Sequence, residues 1–161
     1  MEQNEVMLET PKSLFKNKKF LIICAVALAV IIGIIVTVLL VSYRSSLKYI
    51  TKTVLEEHSQ AHCVVSSSGM SVTIDTNPYD KDAYDIYLMN TTELVVYSSI
   101  HSDSTKAIKL MNEKLGFDAD LADEMENTRE SMGTQTAENE NYKVEWSYSA
   151  KKGLEVTYYE K

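Results

Sequence analysis

Phe20-Leu-Ile-Ile-Cys-Ala-Val-Ala-Leu-Ala-Val-Ile-Ile-Gly-Ile-Ile-Val-Thr-Val-Leu-Leu-Val41 runs without a single charge. At about 1.5 Å per residue, a helix of this length matches a hydrocarbon core of roughly 30 Å. A soluble helix would keep a polar face, and this stretch has none. Lys16, Lys18 and Lys19 precede it, and Arg44 and Lys48 follow. The run predicts a single transmembrane helix over residues 20–42, and with it a membrane-anchored protein.

The residues after Val41, Ser42-Tyr43-Arg44-Ser45-Ser46, lack the small-residue pattern of a cleaved secretory signal. Cys24 lies too deep in the run for a lipoprotein start. A pilin-like start would need Gly and Glu where this chain has Lys19 and Cys24. The expectation is therefore an uncleaved signal-anchor. Lys12, Lys16, Lys18 and Lys19 before the span, against Arg44, Lys48 and Lys52 after it, give a slight basic asymmetry. It points to a cytoplasmic tail over residues 1–19 and an extracytoplasmic C-terminal domain at the cell membrane.

Twelve basic and twenty acidic residues follow the span, a net charge of −8 (12 − 20). That balance argues against a nucleic-acid partner, which needs a basic patch. It also disfavours flat docking of the domain on anionic lipid. Cys24 falls in the span and Cys63 is alone beyond it, so no intradomain disulfide can form.

Outward from the span, Leu47, Ile50, Val54 and His58 recur at helical spacing, predicting a juxtamembrane helix within residues 43–62 that runs to about Glu57. The remaining residues, 63–161, read as one small α+β domain. Met70, Val72 and Ile74 alternate with polar residues as a half-buried strand does, and Pro78 stops it. Tyr84–Ile100 admits two readings. Leu94-Val-Val-Tyr97 has strand propensity, yet Leu94, Tyr97, His101, Ser104, Ile108, Met111 and Leu115 form a helical stripe. Ala107–Leu115 is helical on either reading, with Gly116 as its C-terminal cap. Asp118 and Asp120 open a further helix that Gly133 ends, and residues 133–141 read as polar linker. Val144, Trp146 and Tyr148, then Leu154, Val156 and Tyr158, alternate on either side of Ala150-Lys-Lys-Gly153, which predicts a C-terminal hairpin. About three antiparallel strands packed with helices complete the expected domain.

Ile74-Asp-Thr-Asn-Pro78, Leu115-Gly-Phe117, Met125 with Thr128-Arg129, and Val144-x-Trp146-x-Tyr148 through Gly153-Leu-Glu-Val156 resemble short, functionally uncharacterised extracytoplasmic proteins of Gram-positive bacteria. The resemblance covers residues 70–161 in scattered short matches. It implies a bacterial source and no catalytic residues.

His58 and His62 would share one helix face, with Glu57 and Cys63 near, but they supply only half of a closed zinc set. Asp75, Asn77, Asp80, Asp82 and Asp85 form an oxygen-rich loop without the glycine and glutamate of an EF-hand. Asp118, Asp120, Asp123, Glu124, Glu126 and Glu130 read as dipole complement and solvated surface. No nucleophile elbow, His-Glu-x-x-His or phosphate-cradling glycine loop occurs. Among the C-terminal aromatics, Tyr159 falls out of phase and is the expected exposed ring. In the span, Ala25, Ala29, Gly33 and Thr37 recur every four residues, a face on which helices can approach closely. The reading is a binding or interaction module with no cofactor. Its expected partners are the lipid bilayer and, through the span, a second copy or another membrane protein. The alternatives are a structural accessory subunit and an anchored metal-dependent hydrolase.

Overall fold

The computed structural model describes residues 18–161; most of the predicted cytoplasmic tail therefore lies outside the described residues. Two compact units are present, the second being Tyr43–Lys161. The first contains helix α1 (Lys18–Arg44), whose segment Ile22–Tyr43 has a mean hydropathy of 3.2. It is long and apolar enough to cross a membrane, which suits a membrane anchor or a signal sequence. Thr37, its one mid-helix hydroxyl, donates to the Gly33 carbonyl at 2.8 Å, so no polar hydrogen is left without an acceptor.

In the second unit, Ser46 starts helix α2 (Leu47–Glu57) by accepting from the Tyr49 amide at 3.3 Å. Strands β1 (His62–Val65) and β2 (Ser71–Asp75) follow, then the short helix α3 (Ala83–Tyr87) and the long helix α4 (Thr91–Leu115). Helix α5 (Leu121–Glu126) and a 3-10 turn (Glu130–Met132) lead to β3 (Gln135–Glu138), β4 (Tyr142–Ser149) and β5 (Gly153–Glu160). The sheet is antiparallel throughout, in the order β1-β2-β5-β4-β3. The fold is α+β.

One face of the sheet is covered. Alternate residues of β2 (Val72, Ile74), β4 (Tyr142, Val144, Trp146) and β5 (Leu154, Val156, Tyr158) join one core. Leu47, Ile50 and Val54 of α2, Ile108, Met111 and Leu115 of α4, and Leu121 and Met125 of α5 complete it. Tyr158, on the central strand, is opposite Val72 on one side and Val144 on the other. The uncovered face is polar: Thr73 and Thr157 hydroxyls meet at 2.9 Å, and Lys143 pairs with Glu145 at 2.6 Å.

The structure corrects the sequence reading in four places. The sheet has five strands among the described residues rather than about three, because β1 and β3 were not expected. Residues 135–138, Gln-Thr-Ala-Glu, form an edge strand instead of linker: the free ladder of β4 recruits them, and Gln135 and Ala137 turn half-inward. Leu94–Tyr97 is helical, so the strand alternative for that stretch falls. Its start is set by a reciprocal cap in which Asn90 Oδ1 accepts from the Glu93 amide and Glu93 accepts from the Asn90 amide, each at 3.0 Å. Finally, α5 ends at Asn127; Gly133 instead closes the separate 3-10 turn.

A candidate binding cleft at the far end of the sheet

Helix α4 is longer than the sheet beneath it. Twenty-five residues rise about 37 Å, whereas the eight-residue strands β4 and β5 span about 27 Å. Its buried side chains begin only at Ser104. The preceding turns overhang, together with α3, which buries none of its residues. From Pro78 to Asp103 no residue is fully buried.

A cleft opens under this overhang. It has a volume of about 450 Å³ and lies between α3 and α4 on one side and the β4–β5 turn on the other. Tyr97, His101, Tyr148, Lys81 and Glu126 bring its polar groups, while Ile86 and Leu154 give apolar wall. A second cleft of about 510 Å³ adjoins it, shares Lys81 and Tyr97, and continues between α3 and the first turns of α4 past Leu88, Met89 and Val96. Both lie at the Gly153 end of β5. The chain enters the domain at the other end, where the Leu47 amide donates to Glu160 Oε2 at 3.2 Å and the Tyr142 hydroxyl donates to the Ser45 carbonyl.

The frame of the cleft is held by Thr76 and Asn77, both buried. Asn77 Nδ2 donates to the Lys81 carbonyl at 2.7 Å and to the Lys151 carbonyl at 2.6 Å, tying the α3 loop to the β4–β5 turn. His101 Nδ1 lies 3.1 Å from the Thr76 carbonyl. A carbonyl only accepts, so the proton sits on Nδ1 and a neutral ring keeps its acceptor at Nε2. The Tyr97 ring stacks on His101 with centroids 6.1 Å apart. Burial, then the neighbouring Tyr148 and Asp75, pushes the Tyr97 phenol above its ordinary value, which keeps it a neutral donor. Such a site offers donors, an acceptor, one cation and aromatic surface. It presents no serine or cysteine beside the imidazole, so it suits binding rather than acyl transfer.

The residues singled out in the sequence lie elsewhere. His58 is the C-cap of α2 and His62 starts β1, so the two histidines share no helix face; the helix stops at Glu57 before they can. Among the described residues no three His, Cys, Asp or Glu side chains gather as a metal set. The acidic loop spends its oxygens locally. Asp75 accepts from the Asn77 amide at 2.7 Å, and Asp82 caps α3 by accepting from the Tyr84 and Asp85 amides, each at 2.9 Å. The six carboxylates from Asp118 to Glu130 are exposed, and Glu126 alone reaches the cleft. Tyr159 is half-buried and donates to Glu145 Oε2 at 3.2 Å; Tyr148 is the exposed ring. Ala25, Ala29, Gly33 and Thr37 all lie on exposed α1 surface, and a Cβ added at Gly33 would meet nothing within 4 Å.

Sequence reading passed over Lys81, Tyr97, His101 and Tyr148. The signal that would have found them was the length of the stripe from Leu94 to Leu115, longer than a hairpin of eight-residue strands can cover.

Cys63 faces inward on β1 and packs against the core, and burial pushes its thiol from 9.0 to about 11. Two units mean about a hundredfold less thiolate at neutral pH, and thiolate is the reactive form. In a fragment covering residues 43–161, Cys63 should react with a soluble maleimide about a hundredfold more slowly than a free cysteine at pH 7.5. The rate should rise about tenfold per pH unit until close to pH 11. A rate equal to that of free cysteine would show the β1 edge to be open.

No protein-family model, curated protein or solved structure matches the chain.

Proposed function

We propose that the chain is a single-pass, signal-anchored membrane protein, N-terminus cytoplasmic, whose extracytoplasmic domain binds a protein partner through the α3–α4 overhang. The observation that carries this reading is the surface of that overhang. Tyr79, Tyr84, Tyr87, Leu88, Leu94, Val95 and Val96 are each at least 42% exposed. Folding needs none of them there, and aromatic and branched apolar groups beside a cleft are the composition of interface cores. The acidic domain and the absence of a nucleophile beside His101 fit binding better than catalysis.

A photo-cross-linking residue placed at Tyr87 in intact membranes should give one discrete adduct, absent when the same residue replaces Lys109 on the exposed face of α4. L88D combined with V96D should weaken purified-partner binding by about tenfold or more while leaving the melting temperature unchanged, because both side chains are already exposed. Equal adducts from both positions would remove the surface from consideration.

A further inference from the structure

The charges of α2 run against its own dipole. Helices favour acidic residues in the first turn and basic ones in the last. Helix α2 has no acidic residue in its first turn and no basic residue in its last; Lys48 and Lys52 precede Glu56 and Glu57. Each pair therefore costs the isolated helix stability, and something beyond the helix must favour cations at the end where the chain enters the domain.

A cleft of about 460 Å³ lies at that end. Tyr43 and Tyr49 form one wall with ring centroids 5.2 Å apart, and Leu55 and Val65 supply apolar surface. Lys48 and Lys52 are exposed at its rim; the stem of Lys48 runs past Gly69, and Lys52 is only 4.0 Å from Glu56 in an open pair. Exposed pairs of this kind hold a lysine weakly, so it stays free for another anion. Tyr43 ends the apolar segment Ile22–Tyr43, which puts the start of this cleft at headgroup depth when that segment spans a bilayer. Tyrosines sit at that depth, and lysines snorkel to it. The domain as a whole is acidic, so a general attraction to anionic lipid is not on offer; two lysines on one aromatic-walled cleft are a local one.

We propose that Tyr43, Lys48, Tyr49 and Lys52 hold the headgroup of an anionic glycerophospholipid from the leaflet where the span ends. The site rests on the anchor reading above and fixes the domain's base to the membrane without using the α3–α4 surface.

The test uses the full chain reconstituted in vesicles of equal phosphatidylcholine and phosphatidylglycerol, floated, and then transferred to native mass spectrometry to count retained lipid. Phosphatidylglycerol should be enriched about fivefold over phosphatidylcholine in the retained set. K48Q combined with K52Q should bring the ratio to about one, whereas K151Q combined with K152Q, at the far β4–β5 turn, should leave it unchanged. Flotation with no enrichment, or enrichment that both double variants share, would overturn the lipid site while sparing the anchor. Failure to float with either lipid would overturn both.

Discussion

Tyr158→Ala should lower the unfolding free energy of the Tyr43–Lys161 unit by about 4 kcal/mol, the largest effect expected from any one side chain in it. Tyr158 is fully buried on the central strand. Its ring packs near Phe117 with centroids 6.4 Å apart, and its hydroxyl donates towards Asn112 Oδ1 at 2.7 Å and the Ile108 carbonyl at 3.2 Å. Truncation leaves a cavity between sheet and helix and strips Asn112, itself buried, of its phenolic donor. Tyr158→Phe separates the two losses: it keeps the volume and removes only the hydroxyl, for about 1–2 kcal/mol. Urea melts of both variants check this. A Phe variant as damaging as the Ala variant would mean that the polar link, not packing, holds α4 to β5.

That link also shows what the sequence could and could not reveal. Val144, Trp146, Leu154, Val156 and Tyr158 announce the hairpin because period-two alternation is local and each inward residue is apolar. Strand β3 is different. Gln135 and Ala137 carry no such signal, and the strand exists because β4 offers an open row of backbone partners, which is non-local information. The start of α4 was legible but was hidden by a competing pattern: Leu94-Val-Val-Tyr97 has strand propensity, while Asn90-x-x-Glu93, the capping pair that decides the matter, lies just upstream. The cleft was illegible for another reason. Lys81, His101 and Tyr148 come from three separate elements and meet only after Asn77 joins the α3 loop to the β4–β5 turn.

Gly153→Ala should cost about 3 kcal/mol and also deform the cleft. Gly153 has φ +71°, where a side chain adds roughly 1–2 kcal/mol of strain. A Cβ there would sit 2.8 Å from Thr76 Oγ1 and 2.9 Å from Asn77 Cβ. Neither neighbour is free to retreat. The Thr76 hydroxyl donates to the Leu154 carbonyl at 3.1 Å and accepts from the Leu154 amide at 2.9 Å, and Asn77 holds both Lys81 and Lys151. Moving Thr76 moves the carbonyl that orients His101. Gly116→Ala is the matched control, because Gly116 has φ +75° but would place its Cβ with nothing within 4 Å. It should show the strain alone, so melting curves of the two variants should differ by about 1–2 kcal/mol, the cost of overpacking a fixed site. Equal losses would mean that Thr76 and Asn77 can yield. The cleft's frame would then be set by the α3 loop rather than by the close approach at Gly153, and L88D/V96D would be the only one of these substitutions able to reach binding.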